Sequence, residues 1–284
     1  MKRAWIGAAL FGAGVAAGGC TDPTPPKREL AQPVESGPKG SPGSSAGTTK
    51  PAETDPAAEA VLGRLVKAHT GGKPEALEAT KVYKLVRKGR FEAEGSPGPA
   101  VWTTHGVWPN QFRMDVELSR LGNVTNIRAE TDKTAWEVNP LKGVTVPTPM
   151  SPTDLDAFKT DARAEWWTVL APLTDARNRV AALAEPAPVD GKPAAGVRVW
   201  VGGNQPVVLR VDEESNRLVR VEYRISMASG DIPIGIRYVE HKTVGGLLLP
   251  GKFTYSLNNS VISTWDTADY EFPKQIPAEK FEKP

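Results

Sequence analysis

The chain has a single cysteine, Cys20, in 284 residues, and that scarcity removes several chemistries at once. A lone thiol forms no intramolecular disulfide, and without a second cysteine nearby there is neither a zinc knuckle nor a redox pair. Histidine is almost as scarce. His69, His105 and His241 are scattered, with no H-E-x-x-H match and no second-ligand spacing, so neither a metal nor a cofactor is expected. An excess of one charge is missing too: 35 Lys and Arg stand against 33 Asp and Glu, and Lys2 and Arg3 alone account for the resulting +2. Residues 20 to 284 are therefore formally neutral, and nucleic acid is not an expected partner. The apolar run Ala4–Ala16 is too short to cross about 30 Å of hydrocarbon as a helix.

Catalytic motifs are equally thin. Gly43, Ser45 and Gly47 match G-x-S-x-G, but a nucleophile elbow needs a strand before it and a helix after it, and this match lies among Pro, Gly, Ser and Thr. Gly12, Gly14 and Ala17 approximate a dinucleotide fingerprint inside the N-terminal apolar run, where no strand–helix unit can form. Asp115 and Glu117 share a strand face and could pair as acid and base, yet Arg113 on the same face reads better as part of a solvated exterior. The expectation is a protein that is not an enzyme.

What is present begins at the N-terminus. Lys2 and Arg3 precede the apolar run, as in a secretory signal. Ala17, Gly18 and Gly19 then lead into Cys20, a stretch that resembles the bacterial lipoprotein lipobox, with Ala17 where leucine is usual. The resemblance implies cleavage after residue 19 and acylation of Cys20, with the membrane as partner through the lipid. Two or three acyl chains, at roughly 0.8 kcal/mol per buried CH₂, anchor a protein durably. Thr21, rather than Asp, follows Cys20, which the resemblance ties to the outer membrane, facing the periplasm.

From Thr21 to Pro56, 21 of the 36 residues are Pro, Gly, Ser or Thr, and the only large apolar side chains are Leu30 and Val34. Such a segment cannot build a core. Its reach lies between about 30 Å as a flexible coil and about 110 Å as extended polyproline II. The division is thus a signal over 1–19, a lipidated cysteine with a disordered tether over 20–56, and a folded domain over 57–284.

That domain reads as mainly β with some helix. Asp55 and Pro56 open a helix carrying Ala57, Val61, Leu65 and Ala68 at helical spacing, closed by Gly71 and Gly72. In FRMDVEL, Phe112, Met114, Val116 and Leu118 alternate with Arg113, Asp115 and Glu117, and VRVEYRI repeats the pattern with Val219, Val221, Tyr223 and Ile225. Further strands are predicted at 80–94, 99–107, 123–130, 133–138, 196–202, 206–212, 234–243, 252–258 and 261–270. Over 153–170 the spacing turns helical, with Leu155, Phe158, Trp166, Trp167 and Leu170 toward one side before Pro172. An antiparallel sheet of ten or eleven strands curls or closes, and the two helical segments, one leading and one inserted, could plug its concave side.

The succession HTGGKPEAL, VYKLVRKGRFE, WPNQFRMDVEL with LGN, TAWEVNP, the helical insert, DEESNRLVRVEYRI, VGGLLLP and the terminal FEKP resembles the LolA/LolB/LppX-like family of periplasmic lipoprotein-sorting and lipid-carrier proteins. It spans about 57 to 284. The resemblance implies an unclosed, strongly curved antiparallel sheet, a half-barrel with a helical lid, holding acyl chains of a lipid or acylated protein in an apolar cavity for transport or sorting. The candidate lining is Phe112, Met114, Val116, Leu118, Trp136, Val221, Tyr223, Phe253 and Tyr255 from the sheet, with Trp166 and Trp167 from the lid. Leu121, in the hairpin LSRLGN, is the candidate transfer-loop residue. An envelope binding or sensing module on the same fold without carrier activity is the alternative, and an unrecognised β-fold hydrolase a third reading. Protein partners are not legible.

Overall fold

The computed structural model describes residues 55–92, 98–119, 122–128, 135–175, 178–201, 206–227 and 230–283. The signal, Cys20, Leu121 and all but the last two residues of the tether lie outside them.

The first helix, α1 (Pro56–Thr70), starts where the Asp55 side chain accepts a hydrogen bond from the Ala57 amide at 2.9 Å and stops at Gly71, whose φ of 60° suits glycine. It buries Ala58, Val61, Leu65 and His69. The buried stripe is thus turned by one residue from the expected Ala57 and Ala68, because the face that meets the sheet includes a histidine. The other Asp55 oxygen accepts from the Ala182 amide at 2.8 Å, joining the helix start to a sheet margin. These amide bonds hold the Asp55 carboxyl below the usual carboxylate range.

Thirteen strands follow: β1 (Val82–Phe91), β2 (Gly98–Val107), β3 (Gln111–Leu118), β4 (Gly122–Arg128), β5 (Ala135–Asn139), β6 (Val144–Pro149), β7 (Arg179–Ala182), β8 (Ala194–Trp200), β9 (Val207–Asp212), β10 (Leu218–Met227), β11 (Gly230–Val244), β12 (Leu247–Leu257) and β13 (Ser260–Glu271). They form one antiparallel sheet in which β6 to β1 run in reverse chain order to the middle, β1 pairs with β13, and β13 to β7 continue to the far margin. The sheet is not closed into a barrel: β6 and β7 are its two margins. Between them in the chain lies the helical insert, α2 (Pro152–Glu165), continuing as 3-10 turns over Trp166–Thr168 and Ala171–Thr174. Ser151 caps α2 by accepting from the Asp154 amide at 3.2 Å, with Pro152 in the first turn.

Among the described side chains, one face of the sheet is buried on every strand except the margin β6. β3 buries Phe112, Met114, Val116 and Leu118, and β10 buries Val221, Tyr223 and Ile225, as the alternating pattern predicts, but Leu218 is buried in place of the expected Val219, where the pairing with β9 shifts register. This face is concave. Trp102 on β2 and Tyr255 on β12 are separated by β1 and β13, which in a flat sheet would hold them about 14 Å apart; their ring centroids lie 5.2 Å apart. A rolled sheet brings such side chains together.

Candidate functional site

Segment 152–170 lies across the concave face. Phe158 meets Phe112 at 5.7 Å between centroids, and Trp166 meets Tyr83 at 5.3 Å, Trp108 at 5.2 Å and Phe112 at 5.9 Å. Thr168 and Tyr238 bring their hydroxyls to 3.1 Å. Lys142 ties down the other end, its ammonium 2.9 Å from Glu137 on β5 and 3.2 Å from Asp154 in the first turn of α2. The insert is a lid fastened at several points.

Of the eleven side chains expected to line the interior, ten are buried on this face or on the lid: Phe112, Met114, Val116, Leu118, Val221, Tyr223, Phe253, Tyr255, Trp166 and Trp167. Trp136 is not. β5 buries Ala135, Glu137 and Asn139, which puts Trp136 on the opposite face, with the Lys283 ammonium 4.7 Å from its ring centroid. The inward register of β5 is taken by polar residues, which a search for apolar alternation overlooks. Asp115 receives both the Nε (2.7 Å) and an Nη (3.0 Å) of Arg113, as expected of a charged exterior.

The unexpected feature is a polar cluster under the lid. Arg87 on β1 is wholly buried and donates to both carboxylate oxygens of Glu165 on α2, one of them at 3.3 Å, and to the Tyr255 hydroxyl at 2.9 Å. Its guanidinium lies 4.5 Å from the Trp102 ring centroid and 5.2 Å from that of Phe253. Burial opposes the arginine charge, but Glu165 outweighs it and lifts the Arg87 pKa above its usual value. One turn earlier, Asp161 bonds the Tyr223 hydroxyl, and its Oδ1 is buried without a protein partner. Burial raises the Asp161 carboxyl well above the usual range, against the pull of the Tyr223 bond and with the Glu165 charge adding to the rise. Burial likewise raises the hydroxyls of Tyr83, Tyr223 and Tyr238. Under the lid the buried Arg87–Glu165 ion pair thus stands one turn from a carboxyl, Asp161, whose neutral form burial favours.

Around this cluster, Tyr83 Oη, Trp102 Nε1, Thr104 Oγ1, Trp265 Nε1 and Arg87 Nε are buried without a protein partner. Buried polar groups usually find one, so this concentration marks the interior as more polar than an all-hydrocarbon lining. Part of it was open to detection. Tyr83, Leu85 and Arg87 alternate along β1, so an arginine falls on an apolar face, while Phe158, Asp161 and Glu165 recur at three and four residues along α2. Pairing the two needs the fold.

Two of the three histidines, His69 and His241, tie strands together. Nδ1–H of His69 donates to the Leu248 carbonyl, its Nε2 accepts from the Leu218 amide at 2.9 Å, and His241 Nε2 donates to the Leu218 carbonyl at 3.0 Å. Burial lowers the His69 pKa to about 4. Among the described residues no three His, Cys, Asp or Glu side chains converge as metal ligands, and no helix is long and apolar enough to cross a membrane.

No protein-family model and no curated protein matches this chain. Solved structures do show likeness. A LolA superfamily protein from Nitrosomonas europaea aligns at 13% identity over 80% of this chain and 97% of its own, with a TM-score of 0.49. A chain described as an outer membrane lipoprotein-sorting protein domain, from Vibrio parahaemolyticus, aligns at 9% over 77% and 97%, with a TM-score of 0.46. A DUF1329 family protein from Desulfovibrio piger aligns at 11% over 81% and 98%, with a TM-score of 0.47. At these values the architecture stands on its own strand order and register.

Proposed function

We propose that this protein is a lipid-anchored component of the bacterial envelope, held at the outer membrane through Cys20 and facing the periplasm. In this reading it binds the acyl chains of lipids or lipoproteins between the concave face and α2, takes part in their transport or sorting, and catalyses no reaction. The observation that carries the proposal is the lid. A broad, mainly apolar face is covered by one inserted segment that is held through two ion pairs, two hydroxyl contacts and a group of aromatic rings.

The energetics are balanced enough for exchange. Lifting α2 exposes Phe112, Phe158, Trp166 and their neighbours at roughly 1.5 to 3 kcal/mol for each large side chain. A sixteen-carbon chain entering in their place returns about 0.8 kcal/mol per methylene, on the order of 12 kcal/mol in all. Side chains that touch one another in the closed form would then touch the ligand. The unpartnered hydroxyl and indole groups near Arg87 would meet the ester or amide at the head of the chain. The sequence resemblance to periplasmic lipid carriers points the same way.

The test is to close the lid for good. In a Cys20→Ala background, the thiols of Asp161→Cys and Tyr223→Cys are joined by a short thiol-reactive cross-linker, and uptake of a fluorescent palmitate analogue is measured before and after linking. Uptake by the unlinked protein and its loss on linking are expected. Equal uptake in both would overturn binding under the lid, and no uptake in either would favour the module without carrier activity. Separately, Cys20→Ala is expected to move the protein from the membrane to the soluble periplasmic fraction; retention of the unacylated protein on membranes would overturn the anchor.

A further inference from the structure

The convex face carries a second, differently built site. Where β8 to β12 cross, the outward-facing positions form a crevice of about 420 Å³ lined by Arg198, Arg220, Glu222, Arg224, Gly235 and Ser256, with Pro206, Val208 and Pro233 among its apolar walls. The register explains it. Glu222 on β10 sits between Val208 and Gly235, and Arg224 faces Pro233. Gly235 makes the notch: a Cβ there would lie 2.8 Å from Ser256 Oγ and 2.9 Å from an Nη of Arg220.

The charges do not balance. Glu222 is the one carboxylate among the described lining residues, and Arg210 already holds it, through Nε and Nη2, each at 3.2 Å. Arg220 Nε approaches the other Glu222 oxygen at 3.3 Å without an aligned hydrogen bond, and that nitrogen is buried. Arg198 and Arg224 are exposed. Four guanidiniums against Glu222 leave +3; counting Asp231, the next outward carboxylate on β11, held by the Ser226 hydroxyl at 2.8 Å, leaves +2. Arg237, directly across from Arg220, is neutralised by Asp190. In a chain that is formally neutral beyond residue 19, this local excess is a strong departure. Guanidinium stays charged at any physiological pH, and its fork of donors matches tetrahedral oxyanions.

We infer that this crevice binds a phosphate group, with Arg198, Arg220 and Arg224 converging on its oxygens over the Gly235 notch. The phosphate is either free or the head of an anionic glycerophospholipid. A volume of about 420 Å³ suits a small ligand or headgroup. The site lies on the face opposite the lid and does not depend on acyl binding there.

The experiment is calorimetric titration of the full chain carrying Cys20→Ala with two probes, inorganic phosphate and dihexanoyl-phosphatidylglycerol below its micellar concentration. Saturable binding to one site is expected, weakened by added NaCl and at least tenfold in the Arg198→Gln/Arg224→Gln double variant, with the melting temperature unchanged because both side chains are exposed. Gly235→Ala, which narrows the notch, should weaken binding as well. Binding of inorganic phosphate alone identifies a free-phosphate site, and tighter binding of the lipid identifies a headgroup site; either supports the inference. If neither probe saturates, or the double variant binds as the parent does, the crevice is not a phosphate site. In the second case lipid uptake belongs to the concave face.

Discussion

Asp161 and Glu165 stand one turn apart on the same side of α2, and only Glu165 meets a cation. The two acids face the sheet in different settings, one in a buried ion pair with Arg87 and one against the Tyr223 hydroxyl, where burial raises its pKa. How the lid stays down follows from that difference, and so do two predictions.

Arg87→Met should destabilise the fold by about 3 to 5 kcal/mol, because it leaves the Glu165 charge buried and unpaired. Adding Glu165→Leu should restore stability to near the parent value or above it, since two packed apolar side chains replace a desolvated ion pair. Urea midpoints of the parent, single and double variants decide it. A double variant as weak as the single one would mean that the pair does more than neutralise itself.

Asp161→Asn should be neutral or stabilising at pH 7, and its advantage should shrink toward pH 4. Burial raises the folded-state pKa of Asp161 well above its unfolded value, so the folded chain holds a proton that the unfolded chain releases. Stability from this group is therefore greatest below the unfolded pKa and declines as pH rises. Asparagine keeps a partner for Tyr223 without the proton. Chemical denaturation at pH 4.5 and 7 would reveal the crossover, and a loss of stability at pH 7 would contradict it.

His69 has the opposite sign. Its folded pKa of about 4 lies below the ordinary 6.5, so its contribution is complete above pH 6.5 and is lost as pH falls toward 4, by up to about 3 kcal/mol. His241 and His105 are also lowered by burial and add in the same direction. The parent should show a steep decline in urea midpoint between pH 6.5 and 4.5, and His69→Asn, less stable at neutral pH, a shallower one. Equal slopes would show that another group is responsible.

Gly106→Ala tests the seating of the lid. A methyl there would fall 2.3 Å from a ring carbon of Tyr83 and 2.8 Å from Trp166, so the two rings must part. A cost of about 1 to 3 kcal/mol is expected from overpacking. Melting curves check it, and an unchanged melting temperature would mean that Trp166 is free to move away.

Eleven of the thirteen strands were legible from alternation and turn residues, and both that were missed are the sheet margins. β6 reads VTVPTP, with two prolines and no residue fully buried; β7 has only four residues, RVAA. A margin strand needs one paired edge and can carry proline, so it lacks the pattern that marks strands inside a sheet. The apolar interior was visible because period two is written residue by residue along β3 and β10. The polar cluster was not, because Arg87 and Glu165 are 78 residues apart and only the rolled sheet brings them together. Trp136 misled for a related reason: on a short strand its size suggested the core, whereas Glu137 and Asn139 occupy the inward positions.

Eleven of the twelve strand pairings join neighbours in the chain, and the exception is β1 with β13. Each half of the sheet can therefore grow by successive hairpins, with short loops and small closure entropy. The seam must wait until residues as far apart as Lys84 and Glu271 find one another, and folding speed falls as contacts become more distant in sequence. Arg87 lies on that seam, paired with Ala268 across it. The step that limits folding is thus also the step that sets the arginine in place for Glu165, and a chain that has not closed its seam lacks the ordered strand that carries the lid's buried ion pair.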